Sequence, residues 1–310
     1  MNRRLVVVLG FVFVLISALG IEKAYAEDGD YPNAHLLVNA NWVEEHVGQE
    51  GMYIIDVRKA GYDQGHIPTA VHLSIDKLVD KDHPVEGYLI SKRKIEQLMK
   101  DLGVRNDQTV VIYDEGKETS ATRLFYALEY YGHDNVRLLN GGYQAWIAAQ
   151  KEVSKEVSLK SKGDFKATIK KDLMVEKEDV KQMVGKEDVV LFDVRSPEEY
   201  KGEKVLARRG GHIPSAVNLE WTTVLKDDGV PFFKDAARIS KLLEGVGVIP
   251  EKSIVVYCHK ANRASHMYYT LRLMGFEDIT VYEGSWIEWG NDPNTPINNP
   301  SKQEKGLRSL

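Results

Sequence analysis

The stretch "YIIDVRKAGYDQGHIPTAVHLS" occupies residues 53–74. A second version, "VLFDVRSPEEYKGEKVLARRGGHIPSAVNLEW", occupies residues 190–221. Both run from an apolar strand through Asp-Val-Arg and a polar loop to Gly-His-Ile-Pro, a small residue and Ala-Val. Each is followed by a further matching passage, "TVVIYDEGKETSATRLFYALEYYGHDNVRLLNGGYQAW" at 109–146 and "SIVVYCHKANRASHMYYTLRLMGFEDITVYEGSWIEW" at 253–289. Two long copies make this one domain written twice, not a repeat array. The copies differ by an insertion before Gly211 and by one residue after the strands that end at Tyr113 and Tyr257.

Within each copy short apolar runs alternate with helical patterns. Ile254-Val255-Val256-Tyr257 is apolar on both faces, as a strand inside a parallel sheet must be. Met267, Tyr268, Leu271 and Met274 then recur at helical spacing, and Gly275 marks the stop. Ile279 to Tyr282 is the next strand. The alternation predicts an α/β architecture of two tandem domains, each a parallel β-sheet flanked by helices. The first domain is expected over 34–150 and the second over 174–290. Between them, 151–173 is lysine-rich and poor in large apolar residues, and reads as a loosely packed linker. Residues 291–310 are polar, with three prolines, and read as a tail.

The whole chain has 310 residues, 43% hydrophobic and 28% charged, and a formal net charge of −5. Length and composition suit two ordinary globular domains, and the charge argues against general binding to nucleic acid or anionic membrane. The first residues stand apart. Asn2-Arg3-Arg4 is basic, 5–21 is apolar, and Ala24-Tyr25-Ala26 offers small residues to a signal peptidase. Residues 1–26 therefore read as a secretory signal peptide cleaved after Ala26, with an uncleaved membrane anchor as the alternative. In either case the rest of the chain is expected to be exported, periplasmic or extracellular.

Export makes the sole cysteine, Cys258, conspicuous, because exported cysteines usually pair as disulfides. Cys258 ends a buried parallel strand just before a helix, the edge at which open α/β sheets bind ligands. The loop 259–263 can turn backbone N–H groups towards the sulfur, and the following helix adds its positive end. Both favour thiolate over thiol. His259, Lys260 and Arg263 add cationic side chains, with Ala261 and Asn262 completing the loop. This is a setting for an anionic sulfur and an anionic ligand, not for an inert core cysteine.

Other motif residues carry structural readings. His66 and His212 repeat in both copies although the first copy has no cysteine, so a shared role in the turn is expected. Asp56 and Asp193 are expected to pair with Arg58 and Arg195 inside their loops, with Asp193 a candidate support of the active loop. The first copy has Asp114 where the second has Cys258, and its loop is acidic, so it is read as non-catalytic. Arg123 opens a helix in that copy and is a candidate to reach across to an anion beside Cys258.

The two Asp-Val-Arg…Gly-His-Ile-Pro copies, with Cys-x-x-x-x-Arg in the second alone, resemble the tandem-domain rhodaneses, the thiosulfate or mercaptopyruvate sulfurtransferases. The resemblance covers about residues 34–289. It implies two rhodanese-like domains, an inactive N-terminal one and a catalytic C-terminal one. It also implies a cysteine cycling between thiolate and persulfide. On that pattern Cys258 carries the sulfur, the backbone of 259–263 cradles it, and Arg123 lies where relatives place an arginine that binds the donor anion. One departure is Ala261, where many members have glycine. If positive φ is needed there, alanine costs about 1 kcal/mol. His259 and Lys260 place the loop nearer the thiosulfate users, whose loops are basic.

The expected reaction is a two-step covalent relay. Cys258 takes sulfane sulfur from a small anionic donor such as thiosulfate, and an acceptor (cyanide, a thiol or a protein) removes it. Lys260 and Arg123 are expected to position the donor, and Arg263 to do so too or to tie the loop to a carboxylate. No cofactor and no metal are called for, since the histidines lack ligand spacing. Two alternatives stand beside this. One is a non-enzymatic sulfane-sulfur carrier, which shares the first step. The other is a cysteine phosphatase, whose loop has five residues between Cys and Arg where this chain has four.

Overall fold

β-Branched and aromatic runs set the strands. In the first half these are β1 (Leu37–Val38), β2 (Met52–Asp56), β3 (Val71–His72), β4 (Thr109–Tyr113) and β5 (Val136–Leu139), and in the second β6 (Met174–Val175), β7 (Val189–Asp193), β8 (Val217–Asn218), β9 (Ser253–Tyr257) and β10 (Ile279–Tyr282). A computed structural model describes residues 30–302, apart from Glu118 and Leu159. The leader expected at 1–26 lies outside the described residues, as do 303–310. The strands form two five-stranded parallel sheets, ordered β1-β5-β4-β2-β3 and β6-β10-β9-β7-β8. Helices α1 (Ala40–His46), α2 (Lys92–Leu102), α3 (Ser120–Tyr130) and α4 (Gly142–Ala148) flank the first. The second has α5 (Lys177–Met183), α6 (Pro197–Lys201), α7 (Ala236–Glu244), α8 (Asn262–Leu273) and α9 (Ser285–Trp289). The α/β expectation is met. The central strands β4 and β9 are buried beyond their first residue, which is why they read as continuous apolar runs.

The repeated motifs perform the same local task twice. Arg58 pairs with Asp56 at 2.6 Å and donates to the Gly65 carbonyl at 2.7 Å. Arg195 pairs with Asp193 at 2.5 Å and donates to the Gly211 carbonyl at 2.8 Å. His66 stacks on Tyr62 and binds its carbonyl through Nδ1, and His212 does the same with Tyr200. The histidines of Gly-His-Ile-Pro therefore brace turns.

Helices α3 and α8 pack on one another and join the halves. Aligning "TRLFYALEYYG" with "SHMYYTLRLMG" makes Phe125 the counterpart of Tyr268, Tyr126 of Tyr269 and Glu129 of Arg272. Phe125 meets Tyr269 edge-on at 4.8 Å, and Tyr126 meets Tyr268 at 5.1 Å. Such reciprocal pairing is the mark of a two-fold contact. Glu129 and Arg272 are counterparts that meet each other, so they lie on the local axis. Identical residues there would set like charges together. The divergence to Glu and Arg makes an ion pair of 2.8 Å, to which the Tyr268 hydroxyl also donates at 2.8 Å.

Two expectations need correction. The linker is not loose: Phe165 and Ala167 are buried, and the N–H groups of Gly163 and Thr168 bond to the carbonyls of Lys100 and Tyr131 at 2.8 Å. Alternating apolar residues inside a lysine-rich stretch dock it as an extended strap. The beginning of the tail is bound as well. Asn298 bridges His212 as Ser154 bridges His66, and Thr295 is buried under Arg209. Both segments complete the Gly-His-Ile-Pro turn of the half they follow.

Glu129→Ala should lower the free energy of unfolding by about 2 kcal/mol, because it leaves a half-buried arginine and the buried Tyr268 hydroxyl without their shared partner. Urea denaturation measures it, and Glu129→Arg should lose more than Glu129→Ala.

Candidate active site

Cys258 follows β9 and is 1% exposed. The chain then turns through Ala261, which has φ +60° and serves as the N-cap of α8. The positive φ that sequence reasoning tied to glycine is thus present, and alanine adopts it. The Asn262 N–H bonds back to the Lys260 carbonyl at 2.9 Å. The N–H groups of Cys258 and Ala261 donate to the Ser285 hydroxyl at 3.2 and 3.3 Å, and that hydroxyl donates to the Tyr282 carbonyl at 2.9 Å. The N–H groups of His259, Lys260, Arg263 and Ala264 make no hydrogen bond among the described residues. The expected amide cradle is therefore divided: part fastens the loop to Ser285, and part is left for a ligand at the positive end of α8.

Ser285 was not legible as a site residue. It has φ +49°, and its counterpart in the first half is Gly142, with φ +59°. A left-handed non-glycine residue costs on the order of 1–2 kcal/mol. The hydroxyl offsets this by accepting two loop N–H groups. In the first half no side chain fits, because a Cβ on Gly142 would meet the Asp114 carbonyl at 2.6 Å. There the Asp114 carboxylate itself accepts the Gly116 and Ala121 N–H groups, at 2.9 and 3.0 Å. The first cradle holds its own anion in the place of a bound one. A serine standing in one copy where the other has glycine was the available sequence signal.

Three of the expected cations, Arg263, Arg123 and Lys260, each meet a carboxylate remote in sequence. Arg263 makes two bonds to Glu199, at 2.6 and 3.0 Å. Burial opposes its charge, but the Glu199 hydrogen bonds and the charges of Cys258 and Glu199 outweigh burial and raise its pKa. Burial likewise pushes the Glu199 carboxyl up, and Arg263 more than reverses this to leave it below its usual value. Arg123 does cross from α3 into the second half. Its guanidinium is 1% exposed and pairs with Glu283 at 2.5 Å. It also donates to Ser265 Oγ at 3.3 Å and the Gly87 carbonyl at 2.8 Å, while its Nε–H has no partner among the described residues. Burial again works against the charge, and Glu283 and the Cys258 sulfur help to raise its pKa. Lys260 pairs with Glu86, of the first half, at 2.6 Å. Asn262 lies exposed beside it.

Two sequence readings change. His259 does not add a cation, because burial lowers its pKa and favours the neutral ring. Among the described residues no hydrogen bond or ion pair joins Asp193 to the loop. Its carboxylate is taken by Arg195, and it reaches Arg263 only as the last of several charges.

Two crossing loops close over the cradles. Residues 79–89 are bridged at Val79–Leu89 and cover the Cys258 loop, and residues 225–233 are bridged at Leu225–Phe233 and cover the Asp114 loop. Gly87 lies so close to the Lys260 backbone that a Cβ would meet its carbonyl oxygen at 3.1 Å.

A family model for the rhodanese-like domain matches residues 39–149 and 176–292. The chain is 36% identical over 282 residues to a sulfur carrier protein, TtuD, of Thermus thermophilus, covering 86% of this chain and 98% of that protein. It is 32% identical over 263 residues to a thiosulfate sulfurtransferase of Pseudomonas aeruginosa, covering 84% and 96%. Among solved structures it resembles the anaerobic ergothioneine biosynthesis enzyme of Chlorobium limicola, bound to trimethyl histidine. The TM-score is 0.78 at 26% identity, over 87% of this chain and 71% of that one. A structure of EanB with a cysteine persulfide and ergothioneine gives a TM-score of 0.76 at the same 26% identity and the same coverage.

Ser285→Ala keeps the left-handed backbone and removes the acceptor of two buried N–H groups. It should destabilise by about 1–3 kcal/mol in chemical denaturation. The loosened loop should also slow sulfur loading of Cys258 by about tenfold in single-turnover measurements.

Proposed function

This chain belongs to the rhodanese-like family, and on that premise we propose that it is a sulfurtransferase carrying sulfane sulfur on Cys258. The observation that carries this reading is the position of Cys258. The sole cysteine stands at the ligand-binding edge of a parallel sheet, with Arg263 in its own loop, Arg123 reaching in from the other half, and loop N–H groups that make no hydrogen bond among the described residues.

In the first step the Cys258 thiolate attacks the outer sulfur of thiosulfate. The new S–S bond forms as the old one breaks, and its electron pair leaves on sulfite. The free N–H groups of the loop and of the first turn of α8 are suited to the resulting persulfide anion. The unpartnered Nε–H of Arg123 is suited to a donor oxygen. Arg263 holds the loop through Glu199, so its part is positioning. In the second step an acceptor such as cyanide, a thiol or a partner protein attacks the outer sulfur, and the thiolate is restored.

A non-enzymatic sulfur carrier is the second reading, favoured by the likeness to the Thermus thermophilus carrier. It shares the first step, and steady-state turnover with thiosulfate and cyanide separates the two. The intact mass of the protein should rise by one sulfur atom after thiosulfate, with no gain in Cys258→Ser. An unchanged mass in the unaltered protein would end the proposal.

Residues 1–26 are proposed to be a signal peptide that exports the protein to the periplasm or beyond. N-terminal sequencing of the secreted form should begin at Glu27. Recovery of a membrane-bound form beginning at residue 1 would favour the anchor.

A further inference from the structure

The two crossing loops provide a comparison inside one molecule. Asp80 and Lys226 donate their N–H groups to the carbonyls of Tyr88 and Phe232, each at 2.8 Å. This register makes Glu86, Gly87 and Tyr88 the counterparts of Val230, Pro231 and Phe232. Over the inactive cradle the loop is apolar, and Val230 and Phe232 press on Gly141. The space left there is about 30 Å³. Over the Cys258 cradle the same position carries a carboxylate. Beside it opens a cavity of about 640 Å³, whose wall includes Asp76, Asp80, Glu86, Lys81, Lys260 and Asn262.

Glu86 is held in place from both sides. The next residue, Gly87, gives its carbonyl to Arg123 and packs on the Lys260 backbone. On the other side the Val85 N–H donates to His83 Nδ1 at 3.1 Å, and His83 stacks on Tyr88 at 3.9 Å. The carboxylate therefore stands over Lys260, the cation of the loop nearest the opening. The pair is partly exposed, with Glu86 at 62% and Lys260 at 37%. Such pairs are weak enough for an entering anion to break.

We infer that Glu86 makes the N-terminal half a selector of sulfur donors: its carboxylate, resting on Lys260, disfavours dianionic donors relative to monoanionic ones. The inference rests on the sulfurtransferase reading. The basic loop would by itself favour a dianion. Glu86 occupies Lys260 and adds a negative charge to the wall of the cavity beside the loop. Its effect on a bound ligand scales with the ligand's charge. A change in affinity by a factor f for a monoanion becomes f² for a dianion.

The test compares thiosulfate with an alkanethiosulfonate, a monoanion bearing the same sulfane sulfur, across wild type, Glu86→Gln and Glu86→Lys. Glu86→Gln should lower KM for thiosulfate about two- to fivefold, the range expected for an exposed pair. The KM for the thiosulfonate should fall by about the square root of that factor. Glu86→Lys should roughly square both changes, and 1 M salt should shrink them, since charges are screened beyond about 3 Å there. Equal changes for the two donors, or none, would overturn the inference. Persulfide formation followed by mass keeps this apart from the sulfurtransferase reading. If no variant loads sulfur, that reading fails. If all load sulfur with an unchanged donor ratio, only the role of Glu86 fails.

Discussion

Glu129 and Arg272 stand at the same place in the two copies and meet each other where α3 crosses α8. The cradles meet the opposite half on either side of that crossing. The crossing carries Arg123 into the second half. It also lays each half's crossing loop over the other's cradle. A duplicated chain would place like charges on such an axis. The exchange to one acid and one base turns the point of greatest symmetry into an attraction, and it makes the halves unequal at their closest approach.

That inequality extends to the two cradles. One is filled by its own aspartate and sealed by an apolar loop. The other holds a cysteine, keeps part of its N–H set without partners among the described residues, and has a polar cavity beside Lys260. A serine at a left-handed position, where the first half keeps glycine, fastens the Cys258 loop. Strain of this kind persists where surrounding structure over-determines it, as it does at functional sites.

The site's electrostatics are those of paired charges. Arg123, Arg263 and Lys260 each meet a glutamate, at positions 283, 199 and 86. Buried guanidinium charges need such partners, since isolated burial would be far more costly. The sulfur therefore sits among ordered dipoles and compensated cations, and the loop is less positive than its sequence suggests. This is why a loop read as basic is a poor guide to donor preference by itself.

The repeat, the parallel sheets, the cysteine at a strand end and the structural use of Gly-His-Ile-Pro were legible in the sequence. Each depends on a local pattern: periodicity, spacing, or a motif occurring twice. The docking of 151–173 was missed because two buried residues, Phe165 and Ala167, are hidden among lysines. The partners of the site's cations were missed for a stronger reason. Lys260 and Glu86 are 174 residues apart in the chain, Arg123 and Glu283 160, and Arg263 and Glu199 64. Sequence by itself determined which groups could do chemistry and on which edge of a sheet they stand, because strand and helix patterns are local. Tertiary structure alone decided which carboxylate each of the site's cations meets, because Coulomb energy depends on distance in space, and the packing of the two halves sets that distance.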